Sequence, residues 1–272
     1  MNQSIIKEFQ AEWRANVAIM KSNLFSQMEQ RVAFGMQIIG MIVNNIAFTL
    51  MWVLFFGFFG KINNWSIPET ILLQGMNALV FGTSFVFAGG IASLPFIINN
   101  GSFDALLLCP RRLYIRVLTC YLRDSAIGDI LFGLILIVYS LITTHASWIQ
   151  WIMLFTLVPP AVLIFTNVTL ITSLVAFFFP DSERMARSLF EVFFNPSGYP
   201  TSLFEGPVRF VLIFILPSLV VAGLPAESVR DISFHTYLLV WLLGIVWTLI
   251  GIKLLHLAVR RYESGNLTGA RV

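Results

Sequence analysis

The chain has 272 residues, of which 57% are hydrophobic and only 11% are charged, and its mean hydropathy is +0.82. A soluble domain usually carries about 25% charged residues to keep its surface hydrated, so this composition excludes an ordinary soluble protein. The formal net charge of +3 is too small for a nucleic-acid-binding protein, and the basic residues lie at the ends of apolar runs.

The N-terminal segment, residues 5–28, repeats apolar side chains at spacings of three and four residues. This spacing predicts one apolar stripe along an α-helix, with the charged residues off the stripe. Such a helix is expected to lie in the membrane interface with its apolar face down. The alternative is an amphipathic helix packed on a soluble partner. The stripe consists of Ile6, Phe9, Trp13, Val17, Met20, Leu24 and Met28.

Long apolar runs follow, and each can supply the roughly 20 residues that a helix needs to cross a bilayer. The third helix is expected to start near Tyr114, with only its later part cleanly apolar. The fourth is expected to break at Pro159-Pro160 and to end at Pro180-Asp181-Ser182. The runs are 34–60, 70–96, 127–142, 148–179 and 235–257.

The region from Glu183 to Arg230 allows two interpretations. Residues 185–199 are moderately apolar, whereas residues 207–225 are strongly apolar but contain Pro217 in their middle. Either the second stretch is a full span, or the first stretch spans and the second enters from outside as a hairpin bent at Pro217. Irregular backbone at membrane depth requires burial in protein or a water-filled cavity.

The distribution of Lys and Arg predicts the orientation, because cytoplasmic segments of membrane proteins are enriched in both. With the N-terminus inside, most of the 17 basic residues are cytoplasmic, and both termini lie in the cytoplasm. The assigned residues are Lys7, Arg14, Lys21, Arg31, Arg111, Arg112, Arg116, Arg184, Arg187, Lys253, Arg260, Arg261 and Arg271.

Motifs for catalysis are not found. The sequence contains no Gly-x-x-x-x-Gly-Lys-[Ser/Thr] loop for nucleotide phosphates. The three histidines are scattered at loops or helix ends, and Cys109 and Cys120 form no Cys-x-x-Cys pair, so we interpret both as reduced thiols. We therefore expect no catalytic residue, no metal site and no cofactor bound by this chain.

Polar residues within the apolar runs are candidates for a transport pathway or for hydrogen bonds between helices. Gln74 and Asn77 share one face of the second run. Charges near the start of the third helix mark either a functional site at depth or a helix that begins in the cytosol, near the headgroups. The candidates are Asn44, Gln74, Asn77, Arg123, Asp124, Asp129 and Asn167.

The loop between the second and third spans carries the strongest local signal. A glycine turn, one or two amphipathic helical turns, and then a proline and two arginines predict a compact, rigid knob on the cytoplasmic face. A soluble partner could grip such a knob. Its candidate contact residues are Gly101, Phe103, Asp104, Leu106, Leu107, Leu108, Pro110 and Arg111.

The run Gly101-x-x-Asp104-x-Leu106-Leu107-x-x-Pro110 after two spans resembles the signature of bacterial ABC type-2 permeases, in a branch whose members have about the length of this chain. Cys109 departs from the pattern, since the family usually has a polar or basic residue there. The resemblance extends to the amphipathic segment with Arg14 and Asn16, the Trp65-Ser66 loop, the Asp129 region and the stretch from Asn195-Pro196 to Pro200.

The resemblance implies an all-α permease of six spans that forms one domain: an interfacial helix (1–33), the bundle (34–260) and a cytoplasmic tail (261–272). It favours a fifth span near 185–199 and a re-entrant hairpin at Pro217. It also implies that residues 101–111 form a coupling helix on which a separate ATPase docks.

The same resemblance implies the assembly. Two ATPase subunits would carry ATP and Mg²⁺, and a second permease chain, identical or related, would complete an exporter in the bacterial cytoplasmic (inner) membrane. No nucleic-acid partner is expected. A small channel or a secondary transporter without an ATPase is the main alternative, and neither explains the knob. A membrane enzyme would need a catalytic cluster that this sequence does not offer.

Overall fold

The computed structural model describes residues 3–60, 65–109, 112–179 and 182–262, with side chains from Arg14 onward. This part of the chain is helical and contains no β-strand. Its α-helices are α1 Gln3–Met28, α2 Arg31–Phe59, α3 Ile67–Ala88, α4 Gly90–Asn99, α5 Phe103–Leu108, α6 Leu113–Thr119, α7 Ala126–Thr143, α8 Trp148–Ser173, α9 Ser182–Phe194, α10 Gly206–Phe210, α11 Gly223–Arg230 and α12 Phe234–Val259.

In the described ranges, five helices are long and apolar enough to cross a membrane. They are α2, α3, α7, α8 with its 3₁₀ extension to Phe177, and α12. The all-helical membrane class expected from composition is therefore confirmed, and each of the five apolar runs of the sequence overlaps one of these helices. The side chains of Ile6, Phe9 and Trp13, three of the seven residues of the predicted N-terminal stripe, lie outside the described part.

Two predicted helices are interrupted. The second run is not one helix to residue 96, because the carbonyl of Phe85 accepts a hydrogen bond from the backbone N–H of Arg123 (3.3 Å) and the chain turns at Gly89 before α4. The third helix does not run on from Tyr114 either. It is divided into α6 and α7 by residues 120–125, where the Asp124 carboxylate accepts from the N–H of Ser125 (2.8 Å).

The predicted break at Pro159-Pro160 is wrong, because α8 continues through both prolines. Pro160 is buried against α12, where a Cβ on Gly244 would lie 2.9 Å from the Pro160 Cβ. Neighbouring helices commonly stabilise a membrane helix that contains proline. The expected end of this segment at Pro180-Asp181 lies outside the described residues; the 3₁₀ turn ends at Phe177.

The disputed region contains no long helix. Helix α9 has 13 residues, and 3₁₀ turns follow it at Asn195–Gly198 and Thr201–Leu203. Helix α10 continues as a π-helix to Ile215, and the chain bends at residues 216–218, around Pro217, before α11. Residues 207–225 are therefore not one spanning helix. The Arg209 guanidinium pairs with the Glu227 carboxylate (3.2 Å) across the resulting hairpin.

The long helices pack around α3, which runs along α7 on one side and α8 on the other, while α2 lies outside against α7 and α3. Helices α8 and α12 are parallel, since Tyr237 contacts Thr156 near their starts and Thr248 contacts Asn167 further along. Most of the basic side chains of the described residues lie where α3, α8 and α12 end, and we call this the basic end. They belong to α1, α6, the first turns of α9, the last turns of α12 and the residues beside these elements.

Glycines allow α3 and α7 to approach closely. A Cβ on Gly133 would lie 2.6 Å from the backbone nitrogen of Leu79 and 2.7 Å from the carbonyl oxygen of Gly75. Small residues at such contacts are typical of helix pairs in membranes, where packing replaces the hydrophobic effect as the force between helices. In contrast, α2 exposes large apolar side chains along most of its length, as a helix facing lipid or another chain does.

Candidate functional site

The knob at the basic end is built around helix α5. Gly101 has φ of 75°, which favours glycine, and the side-chain oxygen of Asn100 accepts a hydrogen bond from the N–H of Ser102 (3.0 Å). This turn reverses the chain after α4, and α5 follows directly. The predicted short helix between the second and third spans is thus present.

Phe103 anchors α5 to the bundle. Its side chain is fully buried, and its ring packs edge-on against Phe177 at the end of α8 and Tyr262 after α12, with centroids 5.2 and 4.9 Å away. Leu106 is partly buried against the same cluster. Phe103, predicted as a docking contact, therefore faces the interior and holds the helix in place.

The outward side of the knob is apolar. Leu107 is 39% exposed and Leu108 is 85% exposed, and Cys109 is also exposed. Asp104 is half-buried in the first turn of α5. Pro110 and Arg111 lie outside the described residues. A solvent-facing leucine pair on a firmly held helix is a suitable contact for another protein.

The two cysteines differ sharply. Cys109 follows α5 and is exposed, whereas Cys120 lies between α6 and α7, and burial raises the pKa of its thiol to about 11. The Cys120 thiol also donates to the carbonyl of Val117 (3.3 Å). We therefore interpret Cys120 as a structural thiol, whereas labelling of the exposed Cys109 can measure how accessible the knob is.

A cleft of about 480 Å³ opens between α2, α3, α7 and the turn after α9. Its wall combines amide and carboxyl groups with apolar side chains, and its lining residues in the described part of the chain include no Lys or Arg. The lining residues are Met41, Asn44, Asn45, Ala47, Phe48, Thr49, Met51, Gln74, Asn77, Ala78, Phe81, Asp129, Phe132, Phe194, Asn195 and Gly198.

The carboxyl group of Asp129 is the most buried polar group that sequence analysis placed in the third helix. Its side chain is 1% exposed, and one oxygen accepts a hydrogen bond from the amide of Asn45 in α2 (2.6 Å). The second oxygen, Oδ2, is buried and has no hydrogen-bond partner among the described residues. A buried acceptor without a donor costs free energy, so such a group calls for an explanation.

Gln74 and Asn77 lie on one face of α3, as their spacing predicts. The Gln74 amide donates to the carbonyl of Gly198 (2.7 Å), and Ser197 donates to the Asn77 side-chain oxygen (2.9 Å). Both residues thus line the cleft and also tie α3 to the turn after α9. The two interpretations of these residues, pathway and interhelical bond, are compatible in this structure.

Arg123, Asp124 and Asn167 lie outside the cleft. The Arg123 guanidinium rests over the rings of Phe85 and Phe81, 5.6 and 5.8 Å from their centroids. Asn167 joins three helices: it accepts from the hydroxyl of Tyr114 (2.9 Å) and donates to Thr248 (3.2 Å). The predicted polar candidates therefore divide into a cleft set (Asn44, Gln74, Asn77 and Asp129) and these three.

A second cavity, of about 380 Å³, lies nearer the basic end, between α4, α8 and α9. Arg123 and Arg187 line it together with Glu183 and Glu191. Aromatic rings stand between this cavity and the cleft, with Phe165 in contact with each of the others. These rings are Phe81, Phe85, Phe165, Phe190 and Phe194.

The contribution of the turn after α9 was not predicted from the sequence. Ser197 and Gly198 supply partners to α3, and Asn195 lines the cleft. The signal was the Asn-Pro-Ser-Gly run itself, which predicts a turn but not which helix the turn contacts.

Comparison with protein families finds a match over most of the chain. The model of a family described as "ABC-2 family transporter protein" matches residues 42–266, which include every long helix except the first turns of α2. No curated protein and no solved structure matches the chain significantly. The matched segment contains the knob, the bent hairpin and every lining residue of the cleft except Met41. The chain therefore belongs to the ABC-2 family of transporter proteins, as the run from Gly101 to Pro110 had indicated, and is a multi-pass membrane transport component.

Proposed function

We propose that this chain is the permease subunit of an ATP-driven ABC exporter and that ATP is hydrolysed on a separate subunit. The observation that carries this proposal is the knob, since α5 is held by Phe103 and turns Leu107 and Leu108 outward. The chain has no phosphate-binding loop of its own. On this proposal the ATPase that supplies the energy docks from another chain, and the knob is the element suited to receive it.

The proposed assembly contains two ATPase subunits, which carry ATP and Mg²⁺, and a second permease chain, identical or related. The exposed apolar side of α2 supports a neighbour in the membrane, either lipid or this second chain. Export, rather than import, follows from the resemblance to ABC type-2 permeases. The proposed location is the bacterial inner membrane.

The proposed topology has six crossings. Because α8 and α12 are parallel and consecutive among the long helices, the chain between them must return across the bundle. Helix α9, about 20 Å long at 1.5 Å per residue, and the turns after it make the return, so they take the place of a fifth span. The hairpin bent at Pro217 then caps the bundle from outside, and both termini are cytoplasmic.

The topology is tested by cysteine labelling in a background lacking Cys109 and Cys120. Glu205 is exposed on the loop after α9, so Glu205→Cys should react with an impermeant maleimide from outside the cell. A variant that keeps Cys109 but lacks Cys120 should react with the same maleimide only after the membrane is permeabilised, because the proposed topology puts Cys109 on the cytoplasmic side. Labelling of both positions from the same side would exclude an odd number of crossings between them.

The proposed transport cycle requires two states that ATP distinguishes. ATP binding closes the ATPase pair, which draws the knobs of the two permeases together and reshapes the path between them. A ligand can shift such an equilibrium only through its different affinity for the two states. The cleft and the second cavity, separated by the phenylalanine rings, are the proposed parts of the path within this chain.

The docking step is tested with Leu108→Arg and Asp104→Arg. We expect either variant to insert normally, to lose co-purification of an ABC ATPase, and to lose substrate-stimulated ATP hydrolysis. The matched control is Tyr121→Arg, which puts the same charge on an exposed aromatic in the loop after α6. Unchanged ATPase recovery in both knob variants would contradict the docking proposal.

The rival function, a channel or secondary transporter, is tested by reconstitution. Purified chain in proteoliposomes should show no net transport until the ATPase and ATP are added. Transport by the purified chain alone would exclude the ABC exporter and favour the rival.

A further inference from the structure

The cleft between α2, α3 and α7 contains a hydrogen-bond acceptor that has no donor among the described residues. Asp129 is almost fully buried, and its Oδ2 atom has no hydrogen-bond partner among the described residues, although Oδ1 is bound by Asn45. The group lines an open space of about 480 Å³ rather than a packed core. A molecule in the cleft could therefore supply the missing donor.

The wall also restricts the charge of that molecule. Among the described residues, neither Lys nor Arg lines the cleft; Arg123, whose charge acts on Asp129, is held over Phe81 and Phe85 at the second cavity. An anionic group placed in the cleft would face the Asp129 carboxyl group with no basic side chain among the described wall residues to balance it, and burying an unbalanced charge is costly. Phosphate, sulfate and carboxylate headgroups are thus disfavoured.

The remaining wall groups define the rest of the ligand. Asn44 is exposed on α2 and adds an amide that can both donate and accept. Large apolar side chains share the wall, and the cleft lies beside the middle of α2 and α3 and the first two turns of α7, three helices that can cross a membrane. A molecule with a hydrogen-bonding end and an apolar body would match both kinds of surface. The large apolar wall residues are Met41, Phe48, Met51, Phe81, Phe132 and Phe194.

We propose that the cleft binds the polar end of a non-anionic amphiphile that donates a hydrogen bond, through an ammonium or a hydroxyl group, to Asp129. The proposal rests on the proposed function in so far as it treats the bound amphiphile as transported. Binding itself requires only this chain. It can therefore be measured without an ATPase, and it can fail without affecting the docking proposal.

The experiment uses the purified full-length chain in phosphatidylcholine nanodiscs and four probes that share a dodecyl tail. Dodecylamine offers an ammonium donor, dodecyl glucoside offers hydroxyl donors, dodecyltrimethylammonium is cationic without a donor, and dodecanoate is anionic. Affinities are read by native mass spectrometry. We expect dodecylamine or dodecyl glucoside to bind about tenfold more tightly than either of the other two, a difference typical of one good hydrogen bond in a desolvated site.

Three variants locate the binding. Asp129→Asn should weaken the favoured probe about tenfold, since it replaces a carboxylate acceptor by a neutral amide. Ala47→Trp, at an exposed position of the wall, should block the cleft without disturbing the core. The matched control is Asp124→Asn, which changes a buried carboxyl five residues earlier that does not line the cleft.

The outcomes separate the sources of the donor. Selective binding of dodecylamine identifies an ammonium headgroup, and selective binding of dodecyl glucoside identifies a glycan-like headgroup; both support the proposal. Equal affinity for dodecylamine and dodecyltrimethylammonium with no glucoside binding would overturn it, because the donor would then be irrelevant. Affinities unchanged in both Asp129→Asn and Ala47→Trp would also overturn it.

Discussion

The ring of Phe103 lies edge-on against the ring of Phe177, with centroids 5.2 Å apart, and so joins the short helix α5 to the end of α8. The two residues are distant in sequence, and both are buried in the same cluster. Movement of α5 is thereby linked to two long helices, because Tyr262 after α12 also packs on Phe103.

Replacing Phe103 by Ala should release α5 from the bundle. The lost burial and the cavity left behind cost about 3 kcal/mol for a buried phenylalanine. We expect faster hydrogen–deuterium exchange in residues 101–109 and weaker ATPase stimulation, with the long helices intact. Phe178→Ala is the control, since Phe178 is 56% exposed beside Phe177. Unaltered exchange in the knob would show that Phe103 is not its anchor.

The two native cysteines predict a simple labelling pattern. At neutral pH a maleimide should modify exposed Cys109 quickly and Cys120 hardly at all. The reactive species is the thiolate, and burial raises the pKa of Cys120 to about 11, so its thiolate becomes abundant only as the pH approaches that value. The protection of Cys120 should therefore persist through mildly alkaline pH and disappear above it.

Mass spectrometry of the labelled single variants, Cys109→Ser and Cys120→Ser, checks this pattern. Addition of the docked ATPase should slow the labelling of Cys109 and leave Cys120 unchanged. Rapid labelling of Cys120 at neutral pH would contradict its assignment as a structural thiol.

Gly133→Ala should weaken the α3–α7 contact. The added methyl group would meet the backbone of Leu79 and Gly75 at 2.6 and 2.7 Å, and backbone cannot move aside as a side chain can. Overpacking of this kind costs about 2 kcal/mol. We expect a lower thermal unfolding midpoint in detergent.

Gly57→Ala is the matched control, because no atom lies within 4 Å of a Cβ at Gly57. Alanine also favours helix over glycine by about 1 kcal/mol, so this variant should be as stable as the parent or more so. Equal midpoints for Gly133→Ala and Gly57→Ala would exclude close α3–α7 packing.

The pair of Arg209 and Glu227 should determine how the outer hairpin closes. Glu227 accepts from Arg209 in α10 (3.2 Å) and also from the Thr201 hydroxyl (2.8 Å), so it connects three segments. Arg209→Glu and Glu227→Arg should each destabilise the hairpin through like charges, and the double variant should recover part of the loss. A coupling energy of about 1 kcal/mol is expected from a double-mutant cycle on thermal stability. Strictly additive effects would mean that the two side chains do not interact.

Local patterns predicted much of the site at the basic end. The Gly101 turn, the short helix after it and the apolar residues at Leu107 and Leu108 all follow from neighbouring residues. What the pattern could not distinguish is which apolar side chain faces inward, and Phe103 proved to be the anchor. That choice depends on Phe177 and Tyr262, which are far along the chain.

The prolines also show that a local sequence pattern does not decide the structure by itself. Pro159-Pro160 reads as a helix break, yet α8 passes through it because Gly244 of α12 leaves room for Pro160. Pro217 reads as a bend and is one: the π-helix ends at Ile215, and the chain turns into the buried core before α11, in a hairpin closed by Arg209 and Glu227. A proline's local cost is the same in both places, and the packing around it decides the result.

Sequence alone therefore determined the membrane class, the positions of the five long apolar helices and the knob, because each depends on hydrophobicity and turn chemistry within a short window. The tertiary structure decided which polar groups meet. Asn45 and Asp129, or Ser197 and Asn77, become partners only when α2, α3, α7 and the turn after α9 are packed together. Hydrogen bonds form over about 3 Å, and the separation of two residues along the chain does not predict whether they come that close.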